Sequence, residues 1–353
     1  MRALNGGGID ARSSYAIHAP ISTTSMIIYA AGMGFTRSPS AGGLTMRVFI
    51  YEAICAGALG NDVPASLRRE GSAMLSAVAE DFRRLPGIEV VTLLDDDARF
   101  REVAAACEGT LVIAPEFDDL LRSRSQTVVD VGGRLLGSLP NAIRLTGDKL
   151  ATAEFWRMHG VAHPQTELRE SAVAPPWVLK PRHGAGSQAT FLIRDRAEYD
   201  TARRTANEES PGGEYILQRY VAGHAVSVAL LIGPTRTIPL LPARQHLSND
   251  GRFRYEGGSL PLPEPLATRA ILLAQEAVAG IAGLQGYVGV DLVLGETEDY
   301  AIEINPRLTT SYIGLRQLCQ QNLAELMLRC ARGEPIGPVT WAEGEVRFHV
   351  AAL

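Results

Sequence analysis

The chain has few cysteines: Cys55, Cys107, Cys319 and Cys330 are the only four in 353 residues, with no CxxC pair among them. That spacing speaks against a disulfide framework and suits the reduced thiols of a cytoplasmic protein. No apolar stretch is long enough to cross a bilayer, so no membrane partner is expected. Basic residues form no run and do not interleave with aromatics, and 34 basic against 39 acidic residues leave a net charge of −5. Nothing in that balance suggests a nucleic-acid surface. A Walker loop and a Rossmann fingerprint are both missing. So are an internal repeat and any evident Ser-His-Asp or Cys nucleophile.

What the chain does have is 46% apolar content, enough for two or three α/β domains or subdomains. Residues 1–45 are rich in Ser, Gly, Ala and Thr and lack periodicity. They read as a disordered extension, or as sequence ahead of a true start at Met46. From Met46 the pattern alternates. Val48 to Tyr51, Glu89 to Leu94 and Thr110 to Ala114 read as strands, with helices over Ser66–Phe82 and Phe100–Cys107, a small open parallel sheet. This N-terminal domain is expected to span 46–145. A helix over Gly147–His159 leads into a β-turn-β-α-β unit, a small lobe over 146–224. A C-terminal lobe over 225–353 holds strands at Val226–Ile232 and Thr237–Leu241 and helices over Pro265–Leu284 and Asn322–Arg332.

The strongest local signal is Asp291-Leu292-Val293-Leu294, a turn, then Ala301-Ile302-Glu303-Ile304-Asn305-Pro306-Arg307. Glu303 and Asn305 share one face of a strand, and cross-strand pairing can bring Asp291 opposite them. Carboxylates among apolar neighbours are costly without a cation, and this oxygen set suits magnesium. A solvated acidic face is the plainer alternative. Lys180 closes the buried-looking strand Trp177-Val178-Leu179-Lys180 and calls for an anionic partner. Lys149 lies in the first turn of its helix, where ordinary surface lysines also occur. In Arg182-His183-Gly184-Ala185-Gly186-Ser187 the glycines would let backbone amides approach phosphates, although a plain hairpin would look the same. Gln218-Arg219-Tyr220-Val221 ends a strand and can act as a hinge whose backbone meets an adenine. Arg307 can offer its fork to a phosphate or acyl-phosphate, or form an internal salt bridge to Glu303. The segment from Ala243 to Gly258 reads as a loop facing the cleft, with Arg244 for a carboxylate and Tyr255 for an aromatic amine.

In this order and spacing the parts resemble the ATP-grasp superfamily across roughly Met46 to Arg332. Gly147-Asp148-Lys149 through Gly160-Val161-Ala162-His163-Pro164-Gln165-Thr166 looks like that family's entry helix and exit. Trp177–Pro181 looks like its phosphate-lysine strand, His183–Ser187 its phosphate loop, Gln218–Gly223 its adenine hinge, and Asp291, Glu303 and Asn305 its metal triad. Where many members carry a ribose-binding Glu, this chain has His224-Ala225; His224 or the backbone is expected to substitute. Glu303 to Tyr312 is further similar to the subgroup that contains the tyramine–L-glutamate ligases of methanofuran biosynthesis.

The resemblance implies an α/β protein with α+β lobes, the ATP-grasp fold with an N-terminal open parallel-sheet domain and nucleotide in a cleft between lobes. It implies a carboxylate–amine ligase using ATP and Mg2+, with Mn2+ able to substitute. Lys149, Lys180, Gly184, Gly186, Ser187 and the hinge would hold nucleotide; Arg307 and Lys180 would be catalytic. The expected partners are a small carboxylate, glutamate by resemblance, and an amine such as tyramine or tyrosine; a homo-oligomer is compatible. A non-catalytic nucleotide-binding module and a phosphohistidine transferase using His183 or His246 are the competing classes.

Overall fold

In the computed structural model, residues 45–60, 63–168 and 174–350 are described; apart from Thr45, the expected extension lies outside them. Strand β1 (Met46–Glu52) leads into α1 (Ala65–Arg83), β2 (Ile88–Val91), α2 (Phe100–Ala105), β3 (Gly109–Ile113), α3 (Leu120–Asp130) and β4 (Arg134–Leu135). The strands form a parallel sheet in the order β2-β1-β3-β4. Successive β1 residues are buried on opposite faces because helices cover both. Val48 and Ile50 pack with Met74 and Val78 of α1, whereas Phe49 and Tyr51 pack with Phe100 and Leu121.

Helices α4 (Pro140–Thr146) and α5 (Lys149–His159) connect this sheet to a four-stranded antiparallel one. That small sheet holds β5 (Thr166–Glu167), β6 (Trp177–Pro181), β7 (Phe191–Ile193) and β8 (Tyr215–Arg219), in the order β5-β8-β6-β7, with α6 (Arg196–Glu209) packed on it.

The seven-stranded sheet contains β9 (His224–Ile232), β10 (Thr237–Pro239), β11 (Ala243–Leu247), β12 (Tyr255–Leu260), β13 (Gly286–Leu294), β14 (Asp299–Asn305) and β15 (Val346–His349). Its path runs β14-β13-β9-β11-β12-β15, with β10 on β9. Helix α7 (Leu266–Val278) lays Ala270, Ala274 and Ala277 on Val228, Val290, Leu292 and Ile304. Helices α8 (Ser311–Leu318) and α9 (Leu323–Arg332) serve the opposite face. There Ala229, Tyr287, Leu315 and Met327 share one apolar cluster with Ile50 and Val78. Asp81 of α1 reinforces that junction, accepting from Tyr312 Oη at 2.7 Å and from Arg316 at 2.8 and 2.6 Å. Trp156 is fully buried and donates to the Ala277 carbonyl at 2.9 Å, which pins α5 to α7. No helix among the described residues is long and apolar enough to cross a membrane.

Several elements differ from the sequence reading. The expected helix over 147–159 is preceded by a separate helix, α4, and starts only at Lys149. The helix expected to reach Leu284 stops at Val278, before Gly280 and Gly283 take positive φ. The segment expected as a loop from Ala243 to Gly258 is largely the hairpin β11–β12. Helix α8 and strand β15 were not anticipated. Gly314 weakens the helical signal of α8, yet a Cβ there would stand 2.5 Å from Leu260 Cδ2, so close packing requires it.

Candidate active site

The register of β13 on β14 sets Asp291 directly opposite Glu303 and Gly289 opposite Asn305. Side chains alternate along a strand, so these groups share the sheet face turned away from α7. Asn305 Nδ2 donates to Asp291 Oδ2 at 3.1 Å, and Gln245 Nε2 donates to Asp291 Oδ1 at 3.0 Å. Ser227, paired with Asp291 on β9, donates as well. Burial, and next the charge of Glu303, push Asp291 up to about 7. Burial would also raise Glu303, but Lys149 and Lys180 outweigh it and hold that carboxyl below its usual range. The Glu303 side chain stays 26% exposed, so the pair is reachable from solvent.

Two facing carboxylates that repel each other are the donor set a hard divalent cation stabilises. Among the described residues no third His, Cys, Asp or Glu joins them. Asn305 Oδ1 would supply a further oxygen. Magnesium fits that set, because it fills its other positions with water and phosphate oxygens.

Two lysines flank the pair. Asp148 caps α5, its Oδ1 accepting from the Leu150 and Ala151 amides at 3.1 Å. Arg182 clamps the same carboxylate at 2.8 and 2.6 Å. Burial alone would raise Asp148; the Arg182 contact and the helix amides hold it low instead. The cap fixes the turn that carries Lys149, whose Nζ donates to the Gly184 carbonyl at 2.7 Å and lies 3.5 Å from Glu303 Oε2. Lys180 is 7% exposed and makes no side-chain hydrogen bond among the described residues. Burial brings it down to about 8 despite the nearby carboxylates. An ammonium in that position is poised for an anion.

The loop between β6 and β7 approaches from the small lobe. Gly186 and Ser187 are both left-handed (φ 68° and 57°), and a Cβ on Gly186 would stand 3.4 Å from Leu67 Cδ2 of α1. The turn of the β11–β12 hairpin bridges to the same lobe. Ser187 Oγ donates to the Phe253 carbonyl at 2.7 Å, Leu192 N–H to Gly251 at 2.7 Å, and Arg252 Nε to Thr190 at 2.9 Å. At the hinge, Gln218 is buried and donates to Thr166 Oγ1 at 3.0 Å, Arg219 is exposed, and Tyr220 and Val221 are half-buried. The Tyr220 ring lies 6.2 Å from that of Phe253, so hinge and hairpin turn face each other.

Arg307 does not pair with Glu303. Its Nε and Nη2 meet Glu116 at 2.9 and 3.2 Å, and Nη1 donates to the Leu308 carbonyl at 3.2 Å. Both side chains are largely buried, 14% and 5% exposed. A guanidinium has five N–H groups, so one on Nη1 and one on Nη2 are left uncommitted by these contacts.

Arg244 is placed differently from expectation. It aligns with Val226, which packs under α7, so it points to the opposite sheet face from Gln245 and Asp291. Its Nη1 meets His224 Nδ1 at 2.9 Å. His224, expected to contact the ribose, pairs with Leu294, another residue of the α7 face, and so lies on the sheet face opposite Asp291, whereas Ala225 lies on the Asp291 face. Arg244→Ala is therefore expected to change the KM for acid and for ATP by less than about twofold in steady-state kinetics. A rise for the acid alone would return Arg244 to the acid site. Tyr255 does lie on the cleft side, where burial first, then the charges of Glu70 and Asp291, push its phenol well up.

Glu116 escaped the sequence reading, while Glu70, in the 66–75 stretch similar to the tyramine–L-glutamate ligase subgroup, and Gln245, in the 243–258 segment, were given no role by it. The one available signal was that Glu116 follows β3, at the carboxyl edge of a parallel sheet, where open α/β folds bind ligands.

Comparison with known proteins agrees with this geometry. The pre ATP-grasp 3 domain matches residues 75–143 and the ATP-grasp domain matches residues 146–311. Tyramine–L-glutamate ligase of Methanocaldococcus fervens is 28% identical over 263 residues, covering 73% of this chain and 79% of that protein. Formate-dependent phosphoribosylglycinamide formyltransferase of Nitratidesulfovibrio vulgaris is 26% identical over 300 residues, 79% of this chain and 74% of that one. A crystal structure of an ATP-grasp superfamily protein from Archaeoglobus fulgidus, 25% identical, superposes with a TM-score of 0.66 over 84% of this chain and 98% of that one. With its three sheets, its facing carboxylates and its buried lysine, the chain is an ATP-grasp enzyme, an ATP-dependent carbon–nitrogen ligase resembling tyramine–L-glutamate ligase.

Proposed function

We propose that this ligase joins L-glutamate to tyramine or tyrosine through an acyl-phosphate, as a step in making a methanofuran-like one-carbon cofactor. The supporting observation is the Asp291–Glu303 pair beside the buried ammonium of Lys180, which makes no hydrogen bond among the described residues. The likeness to a ligase of those substrates supports the choice of acid and amine. The competing reading within the family is another amino-acid or peptide ligase.

Lys149 and Lys180 would hold the triphosphate, the β6–β7 loop would cover it, and the 218–221 hinge would receive the adenine edge. A bound magnesium ion, held by Asp291, Glu303 and Asn305, would offset phosphate charge during transfer. The glutamate carboxylate attacks the γ-phosphorus, its new O–P bond forming as the bond to ADP breaks. The outer edge of Arg307 stabilises the acyl-phosphate oxygens. Amine attack then releases phosphate. Positioning and electrostatics carry the catalysis, so no protein nucleophile is required.

The test is ADP release by the purified protein with magnesium, L-glutamate and tyramine, with the amide identified by mass. Release that needs both substrates is expected. Release without amine, or phosphate lodged on a histidine, would favour the competing classes.

Lys180 gives a pH dependence. Its folded pKa lies below the ordinary lysine value of ~10.4, so the ligand-free fold gains stability as pH rises from about 8 toward that value. Nucleotide affinity moves the opposite way, because the neutral amine loses its attraction for phosphate. Calorimetric titration should show ATP binding weaken above pH about 8, and Lys180→Arg should flatten that trend. An unchanged slope in the arginine variant would remove Lys180 from the phosphate site.

A further inference from the structure

The first turns of α1 form a wall of the cleft to which the mechanism above gives no role. Leu67 touches the glycine loop, and a Cβ on Gly71 would fall 2.7 to 2.8 Å from the Glu52 carboxylate, so α1 lies close against the end of β1. Between them, Glu70 Oε1 accepts a hydrogen bond from Thr310 Oγ1, a buried hydroxyl just beyond Arg307. The charge of Glu70 acts on both Arg307 and Tyr255, so three elements converge on one spot.

The carboxylates there are not equivalent. Glu116 is engaged by Arg307 through both oxygens, and Glu52 by the Cys55 amide at 2.7 Å. Glu70 Oε2 and the Tyr255 hydroxyl have no hydrogen-bond partner among the described residues. A second observation marks the same cleft as a ligand site: the 7% exposed Lys180, without a hydrogen bond, is turned toward Asp291 and Glu303.

We propose that Glu70 is the catalytic residue of the acceptor subsite, binding a primary amine as its ammonium and taking one proton as the nitrogen attacks. The ring of Tyr255 lines the amine's apolar or aromatic body. This rests on the ligase reading. The ammonium gives one proton to Glu70 Oε2, and the nitrogen lone pair forms the C–N bond to the acyl-phosphate carbon. The tetrahedral intermediate then breaks the C–O bond to phosphate, which leaves with the electron pair and the second nitrogen proton. The transfer from ammonium to carboxylate runs uphill, and it is drawn forward because C–N bond formation consumes the small amount of neutral amine it produces.

Hydroxylamine separates the steps, since near neutral pH it is unprotonated and needs no base to trap an acyl-phosphate. With ATP, magnesium and L-glutamate, Glu70→Gln is expected to make hydroxamate within about threefold of the unaltered protein. With tyramine its amide formation should fall by about 10²- to 10³-fold, with a raised KM for tyramine. Glu70→Asp should recover part of that loss. Thr310→Val, which removes the hydrogen bond and keeps the carboxylate, should retain amide formation. Equal loss of hydroxamate and amide in Glu70→Gln, or a Thr310→Val loss as large, would make Glu70 structural and overturn the proposal. Absence of both products from the unaltered protein would overturn the ligase reading itself.

Discussion

Asp291→Asn and Glu303→Gln are each expected to lower kcat by at least about a thousandfold, and Asp291→Asn should also make the ligand-free protein more stable. Asp291 is held near 7 by burial and by the facing charge of Glu303, so the empty pair is a strained arrangement. Removing the Asp291 charge relieves the repulsion and keeps the shape, which should raise the thermal midpoint by about 2–4 °C for a gain of ~1 kcal/mol, whereas Glu303, held ionised by Lys149 and Lys180, gives no such gain when neutralised. The same change strips a metal ligand and should stop phosphoryl transfer. A pair whose purpose was to hold the fold would behave in reverse, with stability falling and turnover largely intact. Scanning calorimetry and ADP release on the same preparations distinguish the two.

Glu116→Ala should carry the largest cost to the fold. Arg307 is largely buried and keeps two of its nitrogens on Glu116, so truncation leaves a guanidinium without its counter-ion, a loss of about 3–5 kcal/mol. A Cβ on Gly147 would lie 3.5 Å from Glu116 Cβ, so the same side chain also supports the turn that precedes Lys149. Glu116→Gln keeps one acceptor for Arg307 and should fold. Its kcat should still drop by roughly 10- to 100-fold, with ATP affinity nearly unchanged, because the guanidinium edge that meets the acyl-phosphate loses its alignment. The double variant Glu116→Leu, Arg307→Met should recover stability and remain inactive. Unchanged melting and turnover in Glu116→Ala would reduce the pair to a surface contact.

The acidic hairpin was legible because apolar residues alternate on both strands, so two carboxylates and an amide inside that pattern stand out. Lys180 was legible for the same reason, as a charge ending a buried strand. The β11–β12 hairpin was not. Gln245 is polar toward Asp291 while Arg244 and His246 are polar on the opposite face, and alternation vanishes when both faces of a strand carry polar groups. That concealment also put Arg244 on the wrong side of the sheet. Glu116 was hidden by distance, since its partner lies 191 positions away and no local pattern reports a contact of that range. The register of Asp291 on Glu303, by contrast, follows from the period of the strands.

The reaction is best tested by following an oxygen atom. With L-glutamate labelled with heavy oxygen in its carboxylates, attack on the γ-phosphorus leaves one carboxylate oxygen bonded to phosphorus. Collapse of the tetrahedral intermediate then carries it away in the released phosphate. Mass spectrometry of that phosphate, from a reaction containing ATP, magnesium and tyramine, should find one heavy oxygen per amide formed. Phosphate without label, alongside amide product, would contradict an acyl-phosphate and with it the roles given to Lys180, Arg307 and the Asp291–Glu303 pair.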